Sequence, residues 1–335
     1  MSAAFLLWTG LLLAQTDAGY VRHVTPEGHC LHWPVTAPTR GSVTFVQSAA
    51  GDPAVGPADV FDAVTRAAGS WQAEFQRCGN LDLLEGPRSA SRTIGYTLLG
   101  ANENLVLVRT RNCADVVLAG DPCHSTGSCG NAYDCWDGVA GSIALTFTTY
   151  FLDGGVLVDA DIEIDGATHV LSVVDAPPCP PGVTQNCVAT DVRNAATHEF
   201  GYFLGLDPSP DPASTMFLGT QPGDLSKRVL DPGSRQFVCD VYPAGRSSQD
   251  CVADGTGSGG GGGGGSGGTG LGNGGGPGIG SPTSGCSTAA DEAPCALLLL
   301  ALVALGGRWA RPGGARLRLR DRPSQARTPS PRPRR

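Results

Sequence analysis

The chain has 335 residues and 41% apolar content, enough for one sizeable core, with a formal charge of −8. That charge is unevenly placed: ten of the 23 basic residues lie from Arg308 onward beside one acid, Asp321, leaving residues 1–307 at −17. So acidic a body excludes a general nucleic-acid binder. Twelve cysteines are out of keeping with the reducing cytosol.

The first 18 residues hold a short apolar run, Ala3–Ala14, then small residues at Thr16-Asp17-Ala18. They read as a secretory signal peptide, although no Lys or Arg precedes the run. Residues 19–252 have the size of a single domain and contain ten of the cysteines. In an exported chain these are expected as disulfides, whose pairing sequence leaves open. Cys123, His124, Cys129 and Cys135 have the makings of a zinc knuckle, but export favours disulfide-closed loops there.

Within this body, Val60, Val64, Ala67, Ala68, Trp71 and Phe75 recur at a spacing of three to four, which predicts an amphipathic helix with Pro57 near its start. Strands are predicted at 93–99, 104–110, 142–151 and 156–165, with a Cys-rich loop at 113–135. A second helix is predicted at 190–206, capped by Asp191 and ended by Gly205. The pattern suggests an α+β fold, a mixed sheet with helices on one face. In Val158–Asp165, four acids alternate with Val, Ala, Ile and Ile. That pattern fits a solvated edge strand that resists self-pairing, or else a cation site or cleft wall.

Residues 253–285 are Gly/Ser-rich, expected as a disordered linker. The remainder, 286–335, opens with Cys286, continues with the apolar 295–305, and ends rich in arginine. Eleven apolar residues are short for a permanent span, so transient membrane contact suits them better. The arginines that follow are expected on the cytoplasmic side.

Residues 197–209 concentrate the chemistry. A helical zinc hydrolase needs two His one turn apart, a Glu after the first to activate a metal-bound water, a Gly where the chain bends back, a third ligand beyond it, and a downstream Met turn. Here His198 stands at the first ligand position, Glu199 at the base, Gly205 at the bend and Met216 at the Met turn. Tyr202 and Pro208 occupy the second and third ligand positions. Tyr202 and Asp207 are candidate weak substitutes, although a phenol with a pKa of about 10 must lose its proton to ligate well. Pro208 offers no side-chain donor.

These residues, together with Gly28-His29-Cys30, the Trp71 helix, Cys135-Trp136-Asp137 and Asp159–Asp165, resemble the matrixin-like metzincins of the exported myxobacterial type, over about 20–243. The resemblance implies a twisted mixed sheet, about three main helices, and an edge strand along the cleft that aligns extended peptide substrates. It places Asp159, Asp161 and Glu163 on that strand. It also implies zinc as cofactor and peptide-bond hydrolysis by a metal-activated water. The Cys286 end resembles the MYXO-CTERM sorting tail, which implies processing or anchoring at Cys286, sorting machinery as a partner, and a cell-surface or extracellular address. Two functions stay open. One is a surface-tethered zinc metalloendopeptidase. The other is a catalytically inactive relative that binds an extended peptide or protein, or serves a structural role.

Overall fold

The computed structural model describes residues 19–251 and a strand at Ser284–Ala289. The expected signal peptide, most of the linker, the apolar 295–305 stretch and the Arg-rich end lie outside the described residues. No described helix is long and apolar enough to cross a membrane.

The body is built on β1 (Gly41–Gln47), α1 (Pro57–Cys78), β2 (Leu81–Glu85), β3 (Asn104–Arg109), β4 (Ser142–Tyr150), β5 (Leu157–Asp165), α2 (Val192–Phe203) and α3 (Pro232–Val241). Five strands form a mixed sheet in the order β4-β5-β3-β1-β2. All pair in parallel except β4, which runs antiparallel to β5 at the end of the five. Two further strands, β6 (Gly219–Thr220) and β7 (Ser284–Ala289), extend the sheet beyond β4. The expected boundary between linker and tail, at 285/286, falls inside β7.

The α1 helix forms where the apolar spacing predicts. Pro57 opens it, where a missing N–H costs nothing, and Asp59 complements the positive helix end. Its buried face is Val60, Ala63, Val64, Ala67, Ala68, Trp71 and Phe75. These residues share one core with Phe200 and Phe203 of α2, Phe237 and Val241 of α3, and the sheet residues Phe45, Val106, Ile162 and Ile164.

Two expectations need correction. First, β5, carrying Asp159, Asp161 and Glu163, is not the edge strand: it pairs with β3 on one side and β4 on the other. Its acids are neither solvated nor cleft-facing. Asp159, Asp161, Glu163 and Asp165 are all buried, on a face that the coil before β3 and the Cys-rich loop reach through Gly95 and Asp134. Gly95 and Leu105 donate backbone N–H groups to Asp161 at 2.6 and 2.7 Å, and Arg109 donates to Glu163 at 2.7 Å and to Asp134 at 2.8 Å. Second, 93–99 is not a strand. Its amides turn to side chains instead: Ile94 N–H donates to Asn131 at 2.9 Å and Gly95 N–H to Asp161, so no ladder forms.

All ten cysteines of the body pair: Cys30–Cys251, Cys78–Cys239, Cys113–Cys135, Cys123–Cys129 and Cys179–Cys187. The first joins the start of the body to its end, and the second joins the last turn of α1 to α3.

Candidate functional site

The site is carried by α2. Asp191 caps the helix, accepting from Asn194 N–H at 2.7 Å. Nearly the whole helix is buried between α1 and the sheet, with Trp71 Nε1–H donating to the Thr197 carbonyl at 2.9 Å. Gly205 ends it at φ 104°, in the region where side chains are strained. A Cβ at Gly205 would also meet the Leu31 carbonyl oxygen at 2.4 Å. The chain then bends back, pairing Leu206–Asp207 with Val21–Arg22, and returns under the helix through Ser214-Thr215-Met216.

This turn meets α2 at two points. The Thr215 carbonyl accepts from His198 Nδ1 at 2.6 Å. A carbonyl cannot donate, so Nδ1 carries the proton and Nε2 keeps its lone pair. Nε2 is buried with no hydrogen-bond partner among the described residues. Burial, and then the charge of Lys227, hold the imidazole pKa well below its ordinary value, so the ring is neutral. The second point is Met216, whose sulfur approaches so closely that a Cβ at Gly201 would lie 2.1 Å from it. Gly201 is thus required by the packing, a role the His–Glu spacing does not disclose.

Glu199 faces β4. The Thr146 hydroxyl donates to its carboxylate at 2.7 Å. Lys227 is buried in the same region. Its backbone N–H donates to Asn194, one turn before His198, at 2.7 Å, and its ammonium donates to the Phe217 carbonyl beside Met216 at 2.5 Å. Burial lowers its pKa to about 8, and the Glu199 charge is among the groups that oppose the fall. Neither Thr146 nor Lys227 belongs to a local pattern, so neither is visible before the chain is folded.

Of the expected site residues, His198, Glu199, Met216 and Gly205 come together. Tyr202 joins them, its ring 5.0 Å from the His198 imidazole, edge to face. Asp207 is drawn instead toward His23, whose Nδ1 lies 3.5 Å from its carboxylate. Asp159, Asp161 and Glu163 lie on the sheet face away from the helices. The backbone of Cys286 lies in β7, opposite Leu145.

These residues do not fit a catalytic zinc, which takes three protein ligands and a water. His198 offers one suitable nitrogen, but among the described residues no trio of His, Cys, Asp or Glu donors gathers around it. The one such trio is Cys123, His124 and Cys129, and its two sulfurs are joined in a disulfide, which removes the thiolates zinc would need. A cavity beside the N-terminal half of α2 is lined by Ile143 of β4, His169, Asn194, Ala195, Thr220 and Pro222.

No protein-family model matches the chain, and no curated protein matches it.

Proposed function

We propose that the chain is an exported, surface-tethered relative of the matrixin-like metallopeptidases that binds extended peptide or protein segments and lacks the ligand set for catalytic zinc. The observation that carries this is the juxtaposition with α2 of the antiparallel strand β4, whose outer side takes a further strand, the chain's own β7. β4 ends the body's five-strand sheet, and its Thr146 holds Glu199 on the helix beside it. An extended segment added to that edge gains main-chain hydrogen bonds, and the adjoining cavity offers room for a side chain. Export and tethering rest on the apolar start, the paired cysteines and the Cys286 end.

A second reading, zinc-dependent endopeptidase, draws on His198. Its Nε2 is oriented and neutral as a metal ligand requires, and Glu199 stands at the position of a general base. Metal analysis of the purified chain and digestion of an unbiased peptide library decide between the two. The binding reading expects sub-stoichiometric zinc and no cleavage, with both restored in the double variant Tyr202→His/Pro208→His. Stoichiometric zinc in the unmodified chain, with cleavage abolished by Glu199→Gln, overturns it.

A further inference from the structure

We infer that the chain's own Ser284–Ala289 segment is the resident ligand of the β4 edge, so that the peptide groove is occupied in cis while the tail is attached. The inference rests on the binding reading above for what the groove is, and on the strand pairing for what fills it. β7 lies between two strands of the body. It runs antiparallel to β4, with Ser284 opposite Phe147, Gly285 opposite Thr146, Cys286 opposite Leu145 and Ser287 opposite Ala144. On its other side it runs parallel to β6, with Thr288 opposite Gly219 and Ala289 opposite Thr220. Its backbone therefore fills the sheet edge beside α2, and Gly285 is in register with the threonine that holds Glu199.

The sequence suits this use. Ser-Gly-Cys-Ser-Thr-Ala is uncharged, built of small residues and free of proline, so every residue can join a ladder and approach closely. Pro282 precedes the run, and Asp291, Glu292 and Pro294 follow it, which confines pairing to a short stretch. Without β7, the outer N–H and C=O groups of β4 would form a bare edge, the kind that recruits any extended chain. Covalent attachment adds an advantage that composition alone does not. Tethering on one chain gives an effective concentration of order 1 mM, so a segment that binds its edge only weakly in trans can still occupy it in cis. Loss of the segment would uncover the edge for a second peptide.

The test compares the full chain with its double variant Ser284→Pro/Gly285→Pro, which removes adjacent N–H donors and so breaks the ladder whichever of the two faces β4. Hydrogen–deuterium exchange is read for the outward amides of 142–150, with α1 as the folding control. Binding is read with a labelled peptide spanning residues 281–291 in which Cys286 is replaced by serine. The inference expects at least tenfold faster exchange at 142–150 in the variant, unchanged exchange in α1, and peptide capture by the variant but not by the parent. Equal exchange of 142–150 in both proteins overturns it. The two claims separate cleanly. A variant whose edge exchanges faster yet captures no peptide keeps the cis occupant and removes the peptide-binding reading. Capture by the parent with no difference in exchange does the reverse.

Discussion

At the scale of single residues, the site is organised by what α2 presents to the turn beneath it. His198 is useful as a donor atom because Thr215 takes its other nitrogen, and Met216 reaches the helix because Gly201 has no side chain. The spacing in 197–209 makes His198, Glu199, Gly205 and Met216 legible in advance. Thr146, Thr215 and Lys227 are not, since each comes from a segment that meets the helix only by tertiary packing. Gly205 gives a direct test. Gly205→Ala places a Cβ on a left-handed backbone and 2.4 Å from the Leu31 carbonyl, so we expect a loss of about 1–3 kcal/mol, read by urea unfolding. Thr146→Val tests a different contact. It keeps the shape of the residue but removes the hydroxyl that bonds the buried Glu199 carboxylate, at an expected cost of about 1–3 kcal/mol in the same assay.

At the scale of elements, the helices follow from periodicity and caps, whereas the strands follow only in part. Residues 93–99 have the β-branched and aromatic composition of a strand, but their N–H groups are satisfied by Asn131 and Asp161, and composition does not reveal where a donor finds its acceptor. The alternation in β5 is real, but alternation marks two unlike faces and does not say that the polar one meets water. Here it meets loops. Among the described residues no donor faces Asp159, and the neighbouring Asp161 carboxyl can bond it only by carrying a proton itself. Burial raises the Asp159 pKa from 3.8 to about 6, and raises that of Asp161 as well. The folded chain thus holds this proton more tightly than the unfolded chain does. The stabilisation from the Asp159–Asp161 pair is complete below pH 4 and is lost as pH rises through about 6. Asp159→Asn should therefore be more stable than the parent at pH 7.5, with its advantage shrinking toward zero by pH 4. Thermal unfolding of both proteins across that range measures it, and an advantage independent of pH would show that another group governs the slope.

At the scale of the whole molecule, an even set of ten cysteines in an acidic body announces a disulfide-stapled domain, while the pairing depends on a topology that no spacing discloses. Two of the bridges span long stretches of chain. Cys78–Cys239 closes a separation of 161 residues and fastens the last turn of α1 to α3, next to the contacts of Phe75 and Phe237 with Tyr242. Cys123–Cys129 closes a separation of only six, inside a loop already held by Cys113–Cys135. In the chain-entropy view, the stabilisation from a bridge grows with the logarithm of the loop it closes, so the two should differ in cost when removed. Replacing Cys78 and Cys239 together by alanine should lower stability by about 2–5 kcal/mol. Replacing Cys123 and Cys129 together should cost less, by about 3 kcal/mol on the same loop-length argument. Denaturant unfolding of the two double variants beside the parent gives the comparison. Equal costs would mean that packing around the bridges, rather than closure of the unfolded chain, sets their contribution. If the ordering holds, the helix layer that carries His198 and Glu199 draws stability from a link far from the site, because α2 packs on the same α1 that Cys78 anchors.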